Sequence, residues 1–269
     1  MREITTLKEV QEVTLRILRY FKSFCREHDI SFMLAYGTLL GAVRHKGFIP
    51  WDDDVDVMLT RSEYIKLVEA AKGADILPFE FLLPELSDDY FAPLGKIADT
   101  RTLVIQDYGY QTHRSHGLYV DIFVIDSIPT NQKEAVSFYK KANRLRLMWL
   151  MSVRDLAQKS SSIKNYFLRL PISLFSKLFG WKYWRNKYIS FCQSINEEEK
   201  AGVIIYGEGL KKECFDSESF KDLSTVTFEG EEYKAPKDVN LYLTQMYGDY
   251  MCIPKESERK IHPNRMFYL

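Results

Sequence analysis

An acidic run carries the most specific chemical signal in the sequence. Four aspartates fall within residues 52–56, and two of them, Asp54 and Asp56, are separated by a single valine. Apolar residues follow and predict a strand over 55–59, on which alternate side chains project to the same face. Two like charges so close together are costly to bury unless a cation neutralises them. Hard oxygen ligands select Mg²⁺ or Mn²⁺. We therefore expect Asp54 and Asp56 to bind a divalent metal.

A metal-dependent phosphoryl-transfer site needs a third carboxylate, and the sequence offers two choices. Asp121 lies in the apolar run 119–124, which predicts a buried strand, and a buried acid requires a partner. Asp126 follows that strand and precedes Pro129, where a role in a turn or cap costs nothing. We therefore assign Asp121, together with Asp54 and Asp56, as the catalytic metal ligands.

Two further groups of residues have types that can bind phosphate. Gly37 and Thr38 lie between a predicted strand, 31–36, and a predicted helix, 38–46. Free backbone N–H groups and the positive end of the helix dipole can hold an anion there, although the same pair also serves as an ordinary turn and N-cap. Basic residues that could add positive charge, each of a type more often found as a surface charge, are Arg44, His45, Lys46 and Lys96.

A calcium loop is the main structural alternative for the acidic run. Asp52, Asp54, Asp56 and Glu63 occupy positions 1, 3, 5 and 12 of the EF-hand pattern. Position 6 of that pattern needs glycine for a sharp turn but carries Val57, and its neighbours favour a strand. The catalytic metal site remains the preferred interpretation.

The elements that must position these residues can be predicted from periodicity and capping. A capping box at Thr6 and Glu9 starts an amphipathic helix that ends near His28, and a second one at Thr60 starts a helix that runs to about Lys72. Helices and strands alternate in a pattern typical of an α/β or α+β fold with a mixed sheet flanked by helices. The remaining predicted elements are strands at 79–83, 96–98, 103–106 and 118–125, a helix at 131–156, a hairpin at 225–233 turning at Glu229-Gly230, and a helix at 238–247.

Composition limits the function classes. The chain has 269 residues, of which 46% are hydrophobic, so it can bury a substantial core. Its 37 basic and 37 acidic side chains balance, and we therefore expect no nucleic-acid partner. Four cysteines lie far apart without a C-x-x-C pair, which favours a reducing cytoplasm. The absence of a long apolar run predicts neither a signal peptide nor a membrane span.

The segment 160–196 has an unusual composition. It contains six basic residues, no acidic residues and many interleaved apolar and aromatic residues. Most amphipathic helices are structural, so we expect a helical subdomain whose apolar face packs on the core. The alternative is a helix that lies on the membrane surface.

The sequence also resembles a known family. Residues 36–57, which include Gly37-Thr38, Trp51 and the aspartates, look like the signature of the LicD family, bacterial relatives of fukutin and fukutin-related protein. Residues 117–126, Lys96-Ile97 and residues 247–251 with Pro254 are also similar to the family, whereas 131–202 is not. The resemblance implies a nucleotidyltransferase-like fold with Gly37-Thr38 as its Gly-Ser/Thr element. It also implies paired metal ligands at Asp54 and Asp56 and a third carboxylate at Asp121. We assign substrate binding to Gly37, Thr38, Arg44, His45, Trp51 and Lys96.

The resemblance implies an activity as well. Family members take a CDP-activated alcohol, such as CDP-choline or CDP-ribitol, and transfer the phospho-alcohol to a sugar hydroxyl of a cell-surface glycan or its precursor, releasing CMP. For this chain we expect Mg²⁺-dependent transfer of phosphocholine to a teichoic-acid or lipopolysaccharide precursor. The four scattered cysteines do not match the zinc element of the animal relatives, which favours the bacterial branch and a cytoplasmic enzyme at the inner face of the membrane.

Three regions follow from this interpretation: a catalytic core at 1–130, a basic-aromatic helical subdomain at 131–202, and a C-terminal segment, 203–269, that completes the core and the substrate site. Two other functions remain open. The same carboxylates would serve nucleotidyl transfer from a nucleoside triphosphate, and an inactive glycan- or choline-binding protein could retain the fold.

Overall fold

A computed structural model describes residues 1–105, 116–155, 163–196, 198–259 and 265–269. The predicted end of a strand at Gln106, the predicted end of a helix at Leu156 and the start of the basic segment at Ser160 lie outside these residues. The described helices are α1 (Leu7–Glu27), α2 (Tyr36–His45), α3 (Arg61–Ala71), α4 (Gln132–Val153), α5 (Ile163–Cys192) and α6 (Val239–Tyr247). The described strands are β1 (Arg2–Ile4), β2 (Met33–Leu34), β3 (Asp56–Thr60), β4 (Phe79–Leu82), β5 (Gly95–Asp99), β6 (Thr102–Ile105), β7 (Tyr119–Ile128), β8 (Lys200–Val203), β9 (Phe215–Asp216), β10 (Ser224–Phe228), β11 (Glu231–Ala235) and β12 (Arg265–Tyr268).

A seven-stranded mixed sheet forms the centre of the molecule. Its main order is β2-β3-β7-β5-β4, and β8 and β9 extend it from β7. The β3 and β7 strands are parallel, whereas the other strands of this sheet pair antiparallel. Two smaller sheets, β1-β12-β6 and the hairpin β10-β11, accompany it. The architecture is mixed α and β, as predicted, and the assignment to a nucleotidyltransferase-like fold stays a prediction.

Local signals placed several elements correctly. The Thr6 side chain caps α1 and the Thr60 side chain caps α3, each by accepting the N–H of the residue three positions later. The helix predicted over 238–247 is α6, which Asp238 caps in the same way, and the predicted hairpin turns at Glu229 and Gly230. These predictions are confirmed because a cap or a tight turn depends on residues that are close in the sequence.

The segment before the acidic run differs from the prediction. The predicted turn at Gly37-Thr38 is wrong, since both residues lie in the first turn of α2, which begins at Tyr36. Ala35 is extended and its C=O accepts the Leu39 N–H at 2.9 Å, so the helix starts one residue before the glycine. Tyr36 has φ of 43°, a conformation that sequence patterns do not predict for a tyrosine.

Two large apolar clusters and one small one stabilise the described part of the fold. The largest packs α1, α2, α3 and α6 around the central sheet. The second lies between α4 and α5 and includes the buried side chains of Trp149, Trp184 and Tyr188. Within α5 the helix is interrupted at Gly180, whose φ of 76° and ψ of 159° are not helical. The predicted region boundaries at residues 130 and 202 stay predictions.

Within the described ranges, no helix is both long and apolar enough to cross a bilayer.

Candidate active site

A cavity of about 620 Å³ opens where α2 and β3 begin. Six of the predicted site residues line it: Gly37, Arg44, Trp51, Asp54, Asp56 and Asp121. Other residues that line the cavity come from the C-terminal part of the chain: Tyr206, Glu208, Lys212, Tyr247, Asp249, Tyr250, Cys252, Pro254 and Glu258.

Asp56 is the most buried of the predicted metal ligands. It is the first residue of β3, and its carboxylate side chain has little exposed surface. Its backbone is held on both sides, because its N–H donates to Thr38 Oγ1 at 2.8 Å and its C=O accepts the Ala35 N–H at 3.0 Å. Burial raises the pKa of Asp56 well above its ordinary value, and the negative charges of Asp54, Asp121 and Asp52 raise it further. A cation bound here would relieve that cost.

The sheet register places Asp121 directly beside Asp56. The two residues are opposite each other on the parallel strands β3 and β7, and Lys96 is opposite Asp121 on β5. The Lys96 ammonium donates to Asp121 Oδ1 at 2.6 Å and lies 3.2 Å from the centre of the Tyr119 ring. Asp121 is half-buried, and Lys96 is the partner that an acid on this apolar strand was expected to need. Three charged residues from three neighbouring strands are therefore adjacent, and two of them, Asp56 and Asp121, line the cavity.

The aspartates that precede β3 form a second possible ligand set. Carboxylate oxygens of Asp52, Asp53 and Asp54 lie within 4.8 Å of one another. We predicted that one extended strand carries both Asp54 and Asp56. The strand β3 instead starts at Asp56, and Asp54 lies in the segment just before it. The structure therefore groups Asp54 with Asp52 and Asp53, and Asp52 and Asp54 line the cavity together with Asp56.

Gly37 can lie close to the acidic segment because it has no side chain. A Cβ atom at this position would lie 2.8 Å from Asp52 Oδ2. The Asp52 backbone is fixed in turn by α1, since Gln11 donates to its C=O at 2.8 Å. The glycine lets the first turn of α2 approach the aspartates, a role that differs from the turn that the sequence suggested.

The basic and aromatic residues of the signature form a cluster at the cavity rim. The Arg44 guanidinium donates to the Tyr250 C=O at 2.9 Å and contacts His45 Nε2 at 2.9 Å. The Trp51 ring lies beneath the Arg259 guanidinium, 4.2 Å away, and 6.0 Å from that of Arg44. His45 contacts Arg44, and Thr38 accepts the Asp56 N–H. Both therefore hold a residue that lines the cavity.

The structure also locates the residues of the two alternative assignments, Asp126 as the third ligand and the EF-hand pattern. Asp126 lies within β7 rather than after it, because the strand extends to Ile128; it is buried and accepts two hydrogen bonds from Arg61, at 2.7 and 2.8 Å. Burial raises the pKa of Asp126, and the Arg61 charge opposes that shift. The EF-hand arrangement does not form, because Val57 lies within β3 and the Glu63 carboxylate instead accepts the Ser31 N–H at 2.6 Å.

One pair of residues at the cavity, Tyr36 and Glu213, could not be recognised from the sequence. Tyr36 lines the cavity, and its hydroxyl donates to Glu213 Oε1 at 2.8 Å. Glu213 is almost fully buried, and burial raises its pKa even though it accepts hydrogen bonds from Tyr36 and from the Glu208 N–H. The two residues are 177 positions apart, so no local pattern connects them.

Comparison with known proteins gives related sequences. A family model described as "LicD/FKTN/FKRP, nucleotidyltransferase domain" matches residues 29–150. The chain is 34% identical to the lipopolysaccharide cholinephosphotransferase LicD of Haemophilus influenzae over 274 residues, 98% of each protein. An uncharacterized protein of Rickettsia prowazekii is 46% identical over 41 residues, 15% of each chain. A second one, from Rickettsia typhi, is 46% identical over 39 residues, 14% of this chain and 13% of the relative.

Proposed function

This chain belongs to the LicD family, and we propose that it transfers phosphocholine from CDP-choline to a sugar hydroxyl of lipopolysaccharide or a comparable cell-surface glycan precursor. The acceptor oxygen attacks the phosphorus next to choline, the bond from that phosphorus to the CMP oxygen breaks, and the hydroxyl proton passes to one of the aspartates. The products are a sugar–phosphocholine diester and CMP. The full-length similarity to a cholinephosphotransferase supports this reaction.

The observation that carries the proposal is the convergence of acids from separate elements on one cavity. Asp54 precedes β3, Asp56 begins it, and Asp121 is on the neighbouring strand β7. Hard oxygen donors in this number suit Mg²⁺ or Mn²⁺, and the raised pKa of Asp56 favours a bound cation over a buried bare charge. A divalent cation would supply electrostatic stabilisation of the transferring phosphoryl group.

The chain's own cations would act on the phosphates beside the aspartates. Lys96 is held at Asp121, where its ammonium neutralises one carboxylate and fixes its orientation. Arg44 is held by the backbone of Tyr250 at the cavity rim, from where its charge can attract the diphosphate. The N-terminal turn of α2, with Gly37 on the cavity wall, presents the positive end of the helix dipole to the same region.

The part of the cavity that the C-terminal residues line suits a choline group. Three tyrosines, Tyr206, Tyr247 and Tyr250, line it together with the acidic residues Glu208 and Asp249. Aromatic faces and carboxylates attract a quaternary ammonium, which cannot donate hydrogen bonds. This lining favours choline over an uncharged alcohol such as ribitol as the group that is transferred.

The proposal includes a location. We place the enzyme in the cytoplasm at the inner face of the membrane, where a lipid-linked glycan precursor would be accessible. The described cysteines are all free thiols, and Cys25 and Cys192 are buried, which is compatible with a reducing compartment.

Product analysis tests the reaction. Purified protein is incubated with Mg²⁺, CDP-choline labelled in its methyl groups, and lipopolysaccharide that lacks phosphocholine. We expect label in the glycan and an equal amount of CMP. Consumption of a nucleoside triphosphate with release of pyrophosphate, without turnover of CDP-choline, would instead favour nucleotidyl transfer. Binding of metal and choline without any turnover would favour a binding protein.

A further inference from the structure

A group of large apolar side chains is exposed on α5. We call Leu174, Phe175, Leu178, Phe179 and Tyr183 the apolar ridge. Leu178 is 82% exposed, and the other four are each about half exposed. The first four recur at positions i, i+1, i+4 and i+5, which places them on one face of the helix. The Phe179 ring packs on Phe175 and on Tyr183, with centroids 5.3 Å apart in both pairs, so the ridge continues across the break at Gly180.

The opposite side of α5 is already in contact with α4. Ser173 donates to the Met151 C=O at 2.7 Å, and Lys177 Nζ donates to the Ser152 C=O at 3.3 Å. Further along, Trp184 and Tyr188 are buried in the cluster between the two helices. The packing that the sequence predicted for this helical segment is therefore found on the side of α5 that faces α4. It leaves the apolar ridge outside, and exposed apolar groups in such a cluster mark an interaction surface.

The helix pair that carries the ridge is strongly cationic. The α4 and α5 sequences contain eleven basic residues and one acidic residue, although the whole chain is net neutral. Near the ridge, Arg169 is exposed and the Lys182 side chain is 52% exposed. Asp88 Oδ1 lies 3.6 Å from Lys182 Nζ, but the Asp88 side chain is 99% exposed, and such a surface pair is easily broken by competing partners. Arg185 is buried against the Tyr90 C=O and takes no part in this surface.

We infer that the apolar ridge docks the enzyme onto an anionic lipid bilayer. Apolar side chains flanked by lysine and arginine match the acyl boundary and the negative head groups of such a surface. A second copy of the chain fits less well, because pairing two ridges would bring two cationic helix pairs together. Docking would hold the enzyme beside a lipid-linked acceptor. That benefit rests on the proposed function, whereas the lipid contact itself does not.

Vesicle sedimentation tests the docking without any turnover. Vesicles of phosphatidylcholine alone are compared with vesicles in which about one-third of the lipid is phosphatidylglycerol. We expect the protein to sediment with the anionic vesicles, much less with the neutral ones, and less with both as salt concentration rises.

Two variants test the apolar ridge and the basic residues beside it. Leu178→Asp should reduce the partition coefficient onto anionic vesicles by about tenfold or more, because it places a carboxylate at the most exposed point of the ridge. Ile65→Asp on α3 is the matched control, since Ile65 is also an exposed aliphatic residue on a helix, and it should bind like wild type. Arg169→Gln combined with Lys182→Gln should also weaken binding about tenfold or more and flatten its salt dependence. The pair Lys8→Gln and Lys72→Gln controls for the loss of two charges.

Several outcomes would overturn the inference. These are equal binding to both vesicle types, binding to neither, or wild-type binding by Leu178→Asp. A concentration-dependent dimer that Leu178→Asp dissociates, without vesicle binding, would identify a second copy as the occupant. Circular dichroism melts check that each variant is folded. Turnover on a soluble acceptor analogue should be the same in Leu178→Asp and wild type, so a missing activity would count against the proposed function and leave the vesicle result unaffected.

Discussion

At the scale of single residues, the carboxylate of Asp56 is unfavourable to bury as a bare charge but well suited to bind a cation. Its pKa is raised by burial and by neighbouring aspartates, so the charged form is unfavourable until a cation binds. Its position is nevertheless fixed by backbone hydrogen bonds to Thr38 and Ala35. A group held rigidly in an unfavourable state is typical of a functional site.

The first prediction concerns the paired acids. Asp54→Asn and Asp56→Asn should each lower turnover at least about 10³-fold, because each removes a ligand charge rather than a packing group. Both proteins should stay folded, and Asp56→Asn should melt no lower than wild type without metal. Magnesium should raise the Tm of wild type and not that of the variants. Near-normal turnover in either variant would contradict the assignment of these ligands.

The second prediction compares two acids on the same strand. Asp121→Ala should abolish turnover while nucleotide binding, measured by calorimetry, persists. Asp126→Ala should keep its activity per folded molecule but lose about 3–5 kcal/mol of stability, because it leaves the Arg61 guanidinium unpaired in a largely buried site. The reverse result, an inactive Asp126 variant and an active Asp121 variant, would show that the third ligand is misassigned.

At the scale of elements, the start of α2 is shaped by what lies against it. Gly37 permits the helix to approach Asp52, and Gly41 permits the approach of the following loop, where a Cβ would lie 2.5 Å from the Gly47 C=O. The two glycines therefore differ in what an added methyl would meet: the end of a side chain in the first case and backbone in the second.

The third prediction uses this difference. Gly37→Ala should lower turnover about tenfold or more by displacing the Asp52 carboxylate, with a Tm equal to or above that of wild type because alanine favours helix by about 1 kcal/mol. Gly41→Ala should lower the Tm, because the Gly47 backbone has to shift. A Gly37→Ala protein with full activity would mean that the close approach to Asp52 has no functional role.

At the scale of the whole molecule, Asp99 connects the first helix to the sheet. Its carboxylate, at the end of β5, accepts hydrogen bonds from Arg16 on α1 and from Arg101 in the turn to β6. Burial alone would raise the pKa of Asp99, but these hydrogen bonds outweigh it and the pKa is lowered. A carboxylate with a lowered pKa stabilises the folded state above its unfolded pKa, and the effect is lost as pH falls through the folded pKa.

The fourth prediction follows from that sign. Wild type should have a higher Tm than Asp99→Asn at pH 7, and the difference should shrink steadily as pH falls below about 4, the usual aspartate range. Calorimetric melts across this pH range measure it. Glu12→Gln, at an exposed position of α1, is the control and should differ little from wild type at any pH. A difference between wild type and Asp99→Asn that is independent of pH would exclude the ion pair as the cause.

The sequence by itself determined what depends on neighbouring residues. Helix caps at Thr6 and Thr60, the helix over 238–247, the hairpin turn at Glu229-Gly230 and the apolar periodicity of α1 were all predicted correctly. Each of these is decided within a few residues by hydrogen bonds and side-chain spacing. The acidic run was likewise evident as a candidate metal site, because its charges are adjacent in the chain.

Only the tertiary structure decided how distant residues meet. The register of three strands brings Lys96 beside Asp121 and Asp121 beside Asp56, although Lys96 and Asp56 are far apart in sequence. On α5, one basic residue, Arg185, is buried, whereas the apolar Leu178 is exposed, the reverse of what residue type alone suggests. Strand register and helix packing depend on the whole core, and their energies are summed over contacts that no local segment contains.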